Sequence, residues 1–459
     1  MYKINFSHPI HIYFIGIGGI SMSGLAEILL EKNFRISGSD VRKTTLTEAL
    51  SQKGAVIYYG QAAGNLAEDI DLVVYTSAIH EDNPEFAAMK ERQLPSLTRA
   101  ELLGQMMKNY ELPIAVSGTH GKTTTTSMIS QILLENDSDP TLSIGGIFRP
   151  IQGNIRVGHS GIFVTEACEY TNSFLSFSPK IGIILNIEED HLDFFKDIRE
   201  IRSSFRRFAA LLPEDGMLII NGDIQDYEEI TAGLSCSVIT YGSSGRMDYS
   251  FSDLTCGSLG HPAFHLQTKA GNSGSFALAV PGRHNVSNAL AAIALSDLLG
   301  ISHEVVKKAL LKFTGTDRRF EYKGKCNGFT IIDDYAHHPT EITATLEAAS
   351  SYPHRELWCV FQPHTYTRTR AFLPEFARAL TLADKVVLTD IYAARETDTL
   401  GISSQDLQAA VRQLGKECYY FSSFEEIEKF LLQSCTQDDL LITMGAGDVV
   451  KIGESLLQK

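Results

Sequence analysis

Residues 113–135 read PIAVSGTHGKTTTTSMISQILLE. The apolar run Ile114-Ala115-Val116 has the character of a short strand, and Ser117 and Gly118 end it. Gly121, Lys122 and Thr123 follow, and Met128, Ile129, Ile132 and Leu133 then recur at helical spacing. Strand, glycine loop, Lys-Thr and helix together make a cradle for a nucleotide triphosphate. Glycines admit backbone N–H groups to the phosphates, and the helix N-terminus adds partial positive charge. Gly118, Thr119, His120 and Gly121 are therefore expected on the phosphates, with Lys122 pairing their oxygens. Thr123 would place its hydroxyl on magnesium, with Thr124 beside it. Only Thr119 and His120 separate the glycines, where the standard motif has four residues. A Gly-rich turn before a helix is the plainer alternative. Four consecutive threonines have modest helix propensity, so the site is expected to need their hydroxyls.

The chain has 459 residues, too many for one core, and length alone suggests about three domains. Its 40 Lys and Arg against 55 Asp and Glu leave a net charge of −15, which argues against binding a nucleic-acid backbone. No apolar run is long enough to insert in a membrane, and the N-terminus MYKINFSHPIHIYF lacks a signal-peptide layout. The seven cysteines are scattered singly, which suits reduced thiols in a cytoplasmic protein.

Apolar strand-like runs alternate with helical patterns throughout, the mark of an α/β chain with mostly parallel sheets. Three domains are expected. Residues 1–110 form a Rossmann-like domain with strands at HIYFIGIGG, ISGSD, AVIYYG and LVVYTSA, each followed by a helix. Residues 111–315 form a central ATP-binding domain with strands at GIFVTEACEY, IGIILNIEEDH, MLIING and SVITYG. A polar β-rich excursion from Gly242 to Gly274 and the buried helix of PGRHNVSNALAAIALSDLLG complete it. Residues 316–459 form a second Rossmann-like domain with strands at FTIIDDYAH, LWCVFQPH, KVVLTDIY and LLITMGAG.

Gly16, Gly18, Gly19 and Ser21 follow the first strand, and Asp40 ends the next at the distance of a ribose-binding acid. This invites a dinucleotide reading, and an NAD-dependent dehydrogenase is the main rival function. Ser21 stands where that fingerprint has its last glycine, and a dehydrogenase leaves GTHGKTT idle. The same loop can hold the diphosphate of another nucleotide.

Glu166, Asn186 and His191 end adjacent strands of the central domain, where they converge at the carboxyl edge of a parallel sheet. Glu166 with Thr123 suits one magnesium, and His191 a second magnesium or the γ-phosphate. Asp190 and Asp193 suggest a wet, charged surrounding, and Glu169, Glu188 and Glu189 read as solvated or as backing for these ligands. His284, Asn285 and Asn288 offer amides to an adenine ring, although Asn285 also suits a helix cap. Asp317, Arg318, Arg319, Asp333, Asp334, His337 and His338 form a dense polar group. His364, Arg368 and Arg370 follow the next strand, and paired arginines suit carboxylate or phosphate.

GIGGISMSGLAE, SGSD, TSAIHEDNPE, GTHGKTTTT, TEACEYTNSFL, NIEEDHLD, PGRHNVSNALAA, GTDRRFE, DDYAHHPTE, PHTYTRTR and TMGAGD occur in this order across the whole chain. In these segments the chain resembles the Mur ligases of bacterial cell-wall synthesis. DDYAHHPTE and PHTYTRTR resemble the alanine-adding members and the related muropeptide-recycling ligase, which attaches a tripeptide and is the runner-up. The resemblance implies UDP-N-acetylmuramate on the first domain, ATP with Mg2+ on the second and L-alanine on the third. It implies that ATP phosphorylates the lactyl carboxylate and that the amine of alanine attacks the acyl phosphate. By motif, Glu166 and His191 fall on magnesium. His284, Asn285, Asn288, Arg319 and Asp334 fall on ATP. Ser77, His80, Glu169 and His338 fall on substrates, and Lys122, His191, His364 and Arg368 carry the catalysis. The assembly expected is a monomer or a homodimer.

Two positions depart from the family pattern. Cys168 and Thr171 stand where many alanine-adding members have acids. Arg206 stands where several Mur ligases carry a carbamylated lysine, so no such lysine is expected, and the arginine is expected to supply charge toward the phosphates.

Overall fold

The computed structural model describes residues 2–76, 78–257, 259–269, 271–394 and 396–459. Three sheets follow one another along the chain. The first holds β1 (His11–Ile15), β2 (Arg35–Asp40), β3 (Val56–Tyr59), β4 (Leu72–Tyr75) and β5 (Ser96–Thr98) in the order β3-β2-β1-β4-β5. Every pairing in it is parallel. The strand order reverses beside β1, where a doubly wound sheet opens its ligand crevice. The helix expected after AVIYYG is absent: a single 3-10 turn at Ala63–Asn65 makes that connection. Gly60, Ala62, Ala63 and Gly64 give this stretch no apolar stripe to bury as a helix.

The central sheet contains β6 (Leu112–Ser117), β7 (Thr141–Phe148), β8 (Gly153–Arg156), β9 (Ile162–Ala167), β10 (Ile181–Ile184), β11 (Met217–Asn221), β12 (Ser237–Tyr241), β13 (Tyr249–Cys256), β14 (Pro262–Thr268) and β15 (Gly271–Ala277). Their order is β15-β14-β13-β12-β11-β10-β6-β9-β7-β8. The phosphate-loop strand β6 lies inside it, with Val116 beside Glu166 of β9 and Ser117 beside Ile184 of β10. The excursion after Gly242 is the antiparallel meander β13-β14-β15. The helices Lys122–Glu135 and His284–Leu298 pack on this sheet, and their apolar residues join its strands in one buried cluster.

The third sheet runs β16 (Glu321–Cys326), β17 (Phe329–Asp334), β21 (Leu440–Met444), β18 (Leu357–Phe361), β19 (Lys385–Leu388) and β20 (Glu417–Tyr420) in space. Only β16 is antiparallel to its neighbour. The first two sheets are joined by a shared core that includes Phe14, Leu103, Phe163, Phe174 and Phe205. Close backbone approach reinforces the joint. A Cβ on Gly104 would fall 1.8 Å from the carbonyl oxygen of Ser176, so the helix Arg99–Met107 seats directly on the segment Tyr170–Ser176.

Candidate active site

The phosphate loop is built by its neighbours. Gly121, at φ +81°, precedes the helix Lys122–Glu135, and a Cβ there would lie 2.8 Å from Asn288 Oδ1. Asn186 accepts the His120 N–H on Oδ1 at 2.7 Å and donates from Nδ2 to the His120 carbonyl at 3.0 Å. Its amide is therefore committed to the loop's shape. Lys122 donates to the carbonyls of Gly118 and Thr119 and pairs with Glu169 at 3.0 Å. Burial alone would lower the Lys122 pKa, but its acidic neighbours, Glu169 foremost and Glu166 among them, together raise it above its ordinary value.

Thr123 Oγ1 donates to Glu166 Oε2 at 3.1 Å, and the Gly145 N–H donates to Glu166 Oε1 at 2.5 Å. Burial raises the Glu166 pKa. His191 holds a left-handed backbone, φ 53°, with its ring 4.6 Å from that of Tyr170. Its Nε2 is 3.7 Å from Glu169 Oε1 and 3.7 Å from Asp190 Oδ2, and burial lowers its pKa. Glu169 Oε1 is buried without a hydrogen-bond partner. The Thr123 hydroxyl with the Glu166 carboxylate, and the unsatisfied Glu169 Oε1 beside His191, offer hard oxygen donors of the kind that fits magnesium.

The third sheet brings its carboxyl edge to this loop. Arg368 is buried and donates from Nε and Nη2 to Asp190 Oδ1 at 3.0 and 2.9 Å. Its Nη1 donates to His364 Nδ1 at 3.1 Å. His338 Nε2 donates to the Glu189 carbonyl at 3.0 Å while its Nδ1 accepts the Thr340 N–H. His120 lies between Glu341, at 3.2 Å, and Glu188, at 3.5 Å. A cavity of about 240 Å³ opens between the two domains, lined by Gly121, Thr124, His284, Asn288, Arg319 and Asp334. Asn285 also faces it. Burial pushes the Asp334 carboxyl up to about 6, against the pull of Arg319.

On the first domain, the N–H groups of Gly16 and Ile17 donate to the Ser39 carbonyl, and Gly19 precedes the helix Ile20–Glu31. The Gly18 N–H donates to Asp40 Oδ2 at 2.9 Å, which commits that oxygen to the loop. Ser21 is exposed in the first turn of the helix, and His80 is exposed beyond β4. Ser77 lies outside the described residues.

Several expectations change. Of the two readings of Glu169 the solvated one fails: it is 2% exposed and backs Lys122. Asp190 is buried against Arg368 instead of wet, and only Asp193 remains at the surface, bonded to the Tyr170 hydroxyl. Arg206 is exposed and donates to the carbonyls of Glu229 and Ala232, so it sends no charge to the phosphates. Arg370 is exposed because two residues along a helix turn it away from Arg368. Of the four threonines, Thr125 and Thr126 face the core with unpartnered hydroxyls. Asn285 does not cap its helix: it lies in the first turn and donates to the Pro281 carbonyl at 2.7 Å. Glu341, which closes the DDYAHHPTE segment, carries no sequence signal that sets it apart from a surface acid. It binds the His337 N–H at 3.1 Å as well as His120.

Known proteins match this architecture. The model described as Mur ligase family, catalytic domain covers residues 11–111, the Mur ligase middle domain covers 116–296, and the Mur ligase, glutamate ligase domain covers 318–447. The UDP-N-acetylmuramate–L-alanine ligase of Agathobacter rectalis is 61% identical over the full length of both chains, and that of Lachnospira eligens is 59% identical, also over both full lengths. The crystal structure of the UDP-N-acetylmuramate-alanine ligase of Thermotoga maritima superposes with a TM-score of 0.81 at 31% identity, covering 98% of each chain. A murein peptide ligase of Psychrobacter arcticus gives a TM-score of 0.71 at 26% identity, again over 98% of each chain. With relatives this similar along its entire length and three family domains in sequence, the chain belongs to the Mur ligase family.

Proposed function

We infer that this chain is an ATP-dependent amide ligase that joins L-alanine to UDP-N-acetylmuramate in peptidoglycan precursor synthesis. The observation that carries this reading is the meeting of the phosphate loop and the Arg368–Asp190 pair at one cleft, within a chain 61% identical to an alanine-adding ligase. The domains proposed are residues 1–110 for the sugar nucleotide, 111–315 for ATP and 316–459 for the amino acid. No helix among the described residues is long and apolar enough to cross a membrane. A cytoplasmic location follows from substrates that are cytoplasmic nucleotides.

A carboxylate is a poor acyl donor, so its activation by ATP precedes amide formation. Thr123, Glu166 and His191 would hold magnesium, which would neutralise charge on the phosphates. Gly118, Thr119, His120, Gly121 and Thr124 surround those phosphates, and Lys122 offsets the charge that develops on the transferred phosphoryl group. His284, Asn285 and Asn288 take the adenine end, and Arg319 and Asp334 approach the nucleotide from the third domain. Glu169 holds Lys122 in register until phosphate oxygens replace it. On the first domain Gly16, Gly18, Gly19, Ser21, Asp40, Ser77 and His80 hold the sugar nucleotide. His338, His364 and Arg368 line the alanine side, where the amine attacks the acyl phosphate, a tetrahedral species forms and phosphate leaves. The packed junction excludes water that would hydrolyse the acyl phosphate.

The test is phosphate release with UDP-N-acetylmuramate, ATP and magnesium against a panel of amino acids. L-alanine should give the highest rate. A higher rate with a tripeptide would favour the recycling ligase instead.

A further inference from the structure

Arg99 opens the helix Arg99–Met107 directly after β5, at the carboxyl edge of the first sheet. It is half-buried and, among the described residues, has neither a hydrogen bond nor an ion pair. The adjacent acid does not serve it: Glu101 accepts the Thr98 N–H at 2.8 Å and the Thr98 hydroxyl at 2.9 Å. The close seating of Gly104 on Ser176 fixes this helix against the central domain. Arg99 then lies near enough to Cys168 for the two side chains to interact electrostatically. Lys122, from the phosphate loop, also acts electrostatically on Cys168. The helix of Arg99 therefore docks on the segment that follows Cys168 and Glu169, the latter the partner of Lys122. Lys122 has Glu169 as its partner, and Arg99 has none.

A desolvated guanidinium without an anion is unfavourable, and its planar fork matches a carboxylate in two-point contact. The sugar nucleotide inferred above carries such a carboxylate on its lactyl group. That group must extend from the first domain to the phosphoryl group beside Lys122. We propose that Arg99 binds the lactyl carboxylate and holds it against the phosphate loop for phosphorylation. This rests on the ligase reading and adds a substrate-binding residue outside every glycine motif.

The test is calorimetry on the full chain with UDP, UDP-N-acetylglucosamine and UDP-N-acetylmuramate, of which only the last carries the carboxylate. Arg99→Ala should weaken UDP-N-acetylmuramate at least about ten-fold, the scale of a charge-assisted hydrogen bond. Binding of the other two should stay within about two-fold, which also reports a folded first domain. Arg99→Lys, which keeps the charge and loses the fork, should fall between. Equal losses with all three ligands would put the guanidinium on the diphosphate and overturn the proposal, as would unchanged binding of all three. A wild-type chain that fails to bind UDP-N-acetylmuramate at all would overturn the ligase reading itself.

Discussion

Arg368 and Asp190 lie 178 residues apart in sequence and form a buried two-point ion pair between the third domain and the loop after β10 that carries His191. The Arg368 guanidinium holds the Asp190 carboxyl well below the usual carboxylate range, against the opposing effect of burial. The pair lies at the cleft where the third domain meets the phosphate loop. Arg368→Ala leaves a buried carboxylate uncompensated, which costs about 3–5 kcal/mol of stability. Turnover should fall by about 100-fold or more. Affinity for a non-hydrolysable ATP analogue, measured by calorimetry, should stay within a few-fold. Proportional loss of both would assign Arg368 to the nucleotide site.

Lys122→Ala should reduce kcat/KM by at least about 100-fold, the scale of a lost charge at a transition-state oxyanion. The Glu169 carboxylate it pairs with is buried, so the variant should also lose stability. Lys122→Met in a Glu169→Gln background removes both charges and should recover stability without activity. Recovery of activity in that double variant would remove Lys122 from the chemistry.

His120 gives the cleft a pH response. Burial opposes its charged form, but Glu341 and Glu188 raise its pKa from 6.5 to about 9. A group raised on folding contributes stability that is fully present below its ordinary value and lost as pH rises through the folded one. The melting temperature of wild type minus that of His120→Gln should therefore shrink from about pH 7 to about pH 10. A difference that stays flat over that range would show that the imidazolium bridges nothing.

Gly104→Ala should lower stability by about 1–3 kcal/mol or more, the cost of overpacking a tight contact. The neighbour its Cβ would meet is the Ser176 backbone, which cannot rotate aside. Chemical denaturation reads this directly. A neutral result would mean that the helix and the segment Tyr170–Ser176 separate freely.

The first glycine loop should bind UDP-N-acetylmuramate and neither NAD nor NADP. Asp40 Oδ2 already accepts the Gly18 N–H at 2.9 Å, and a Cβ on Gly18 would meet that same oxygen at 2.7 Å. The aspartate thus braces the loop. Micromolar NAD affinity in calorimetry would reverse this assignment.

The sequence by itself determined the three α/β units and the glycine loop that opens the helix Lys122–Glu135, and it singled out Lys122, Thr123, Glu166 and His191 as candidates. Those signals are local: a strand and the loop after it are contiguous, and period-2 and period-3.6 patterns report burial without reference to distant residues. Strands β5, β7, β8, β16 and β20, all but β7 at sheet edges, leave little trace in the sequence, since short or half-buried strands carry weak alternation. Only the tertiary structure decided which charges are paired. Glu169, Asp190, Glu188 and Glu341 look alike as exposed acids in a sequence. Each is set by a partner from another segment: Lys122, Arg368 or His120. Arg206 and Arg368 look equally suited to phosphate, yet one caps carbonyls at the surface and the other crosses a domain boundary. A side chain's charge is written in the sequence, but its desolvation and its partner depend on contacts between residues far apart in the chain.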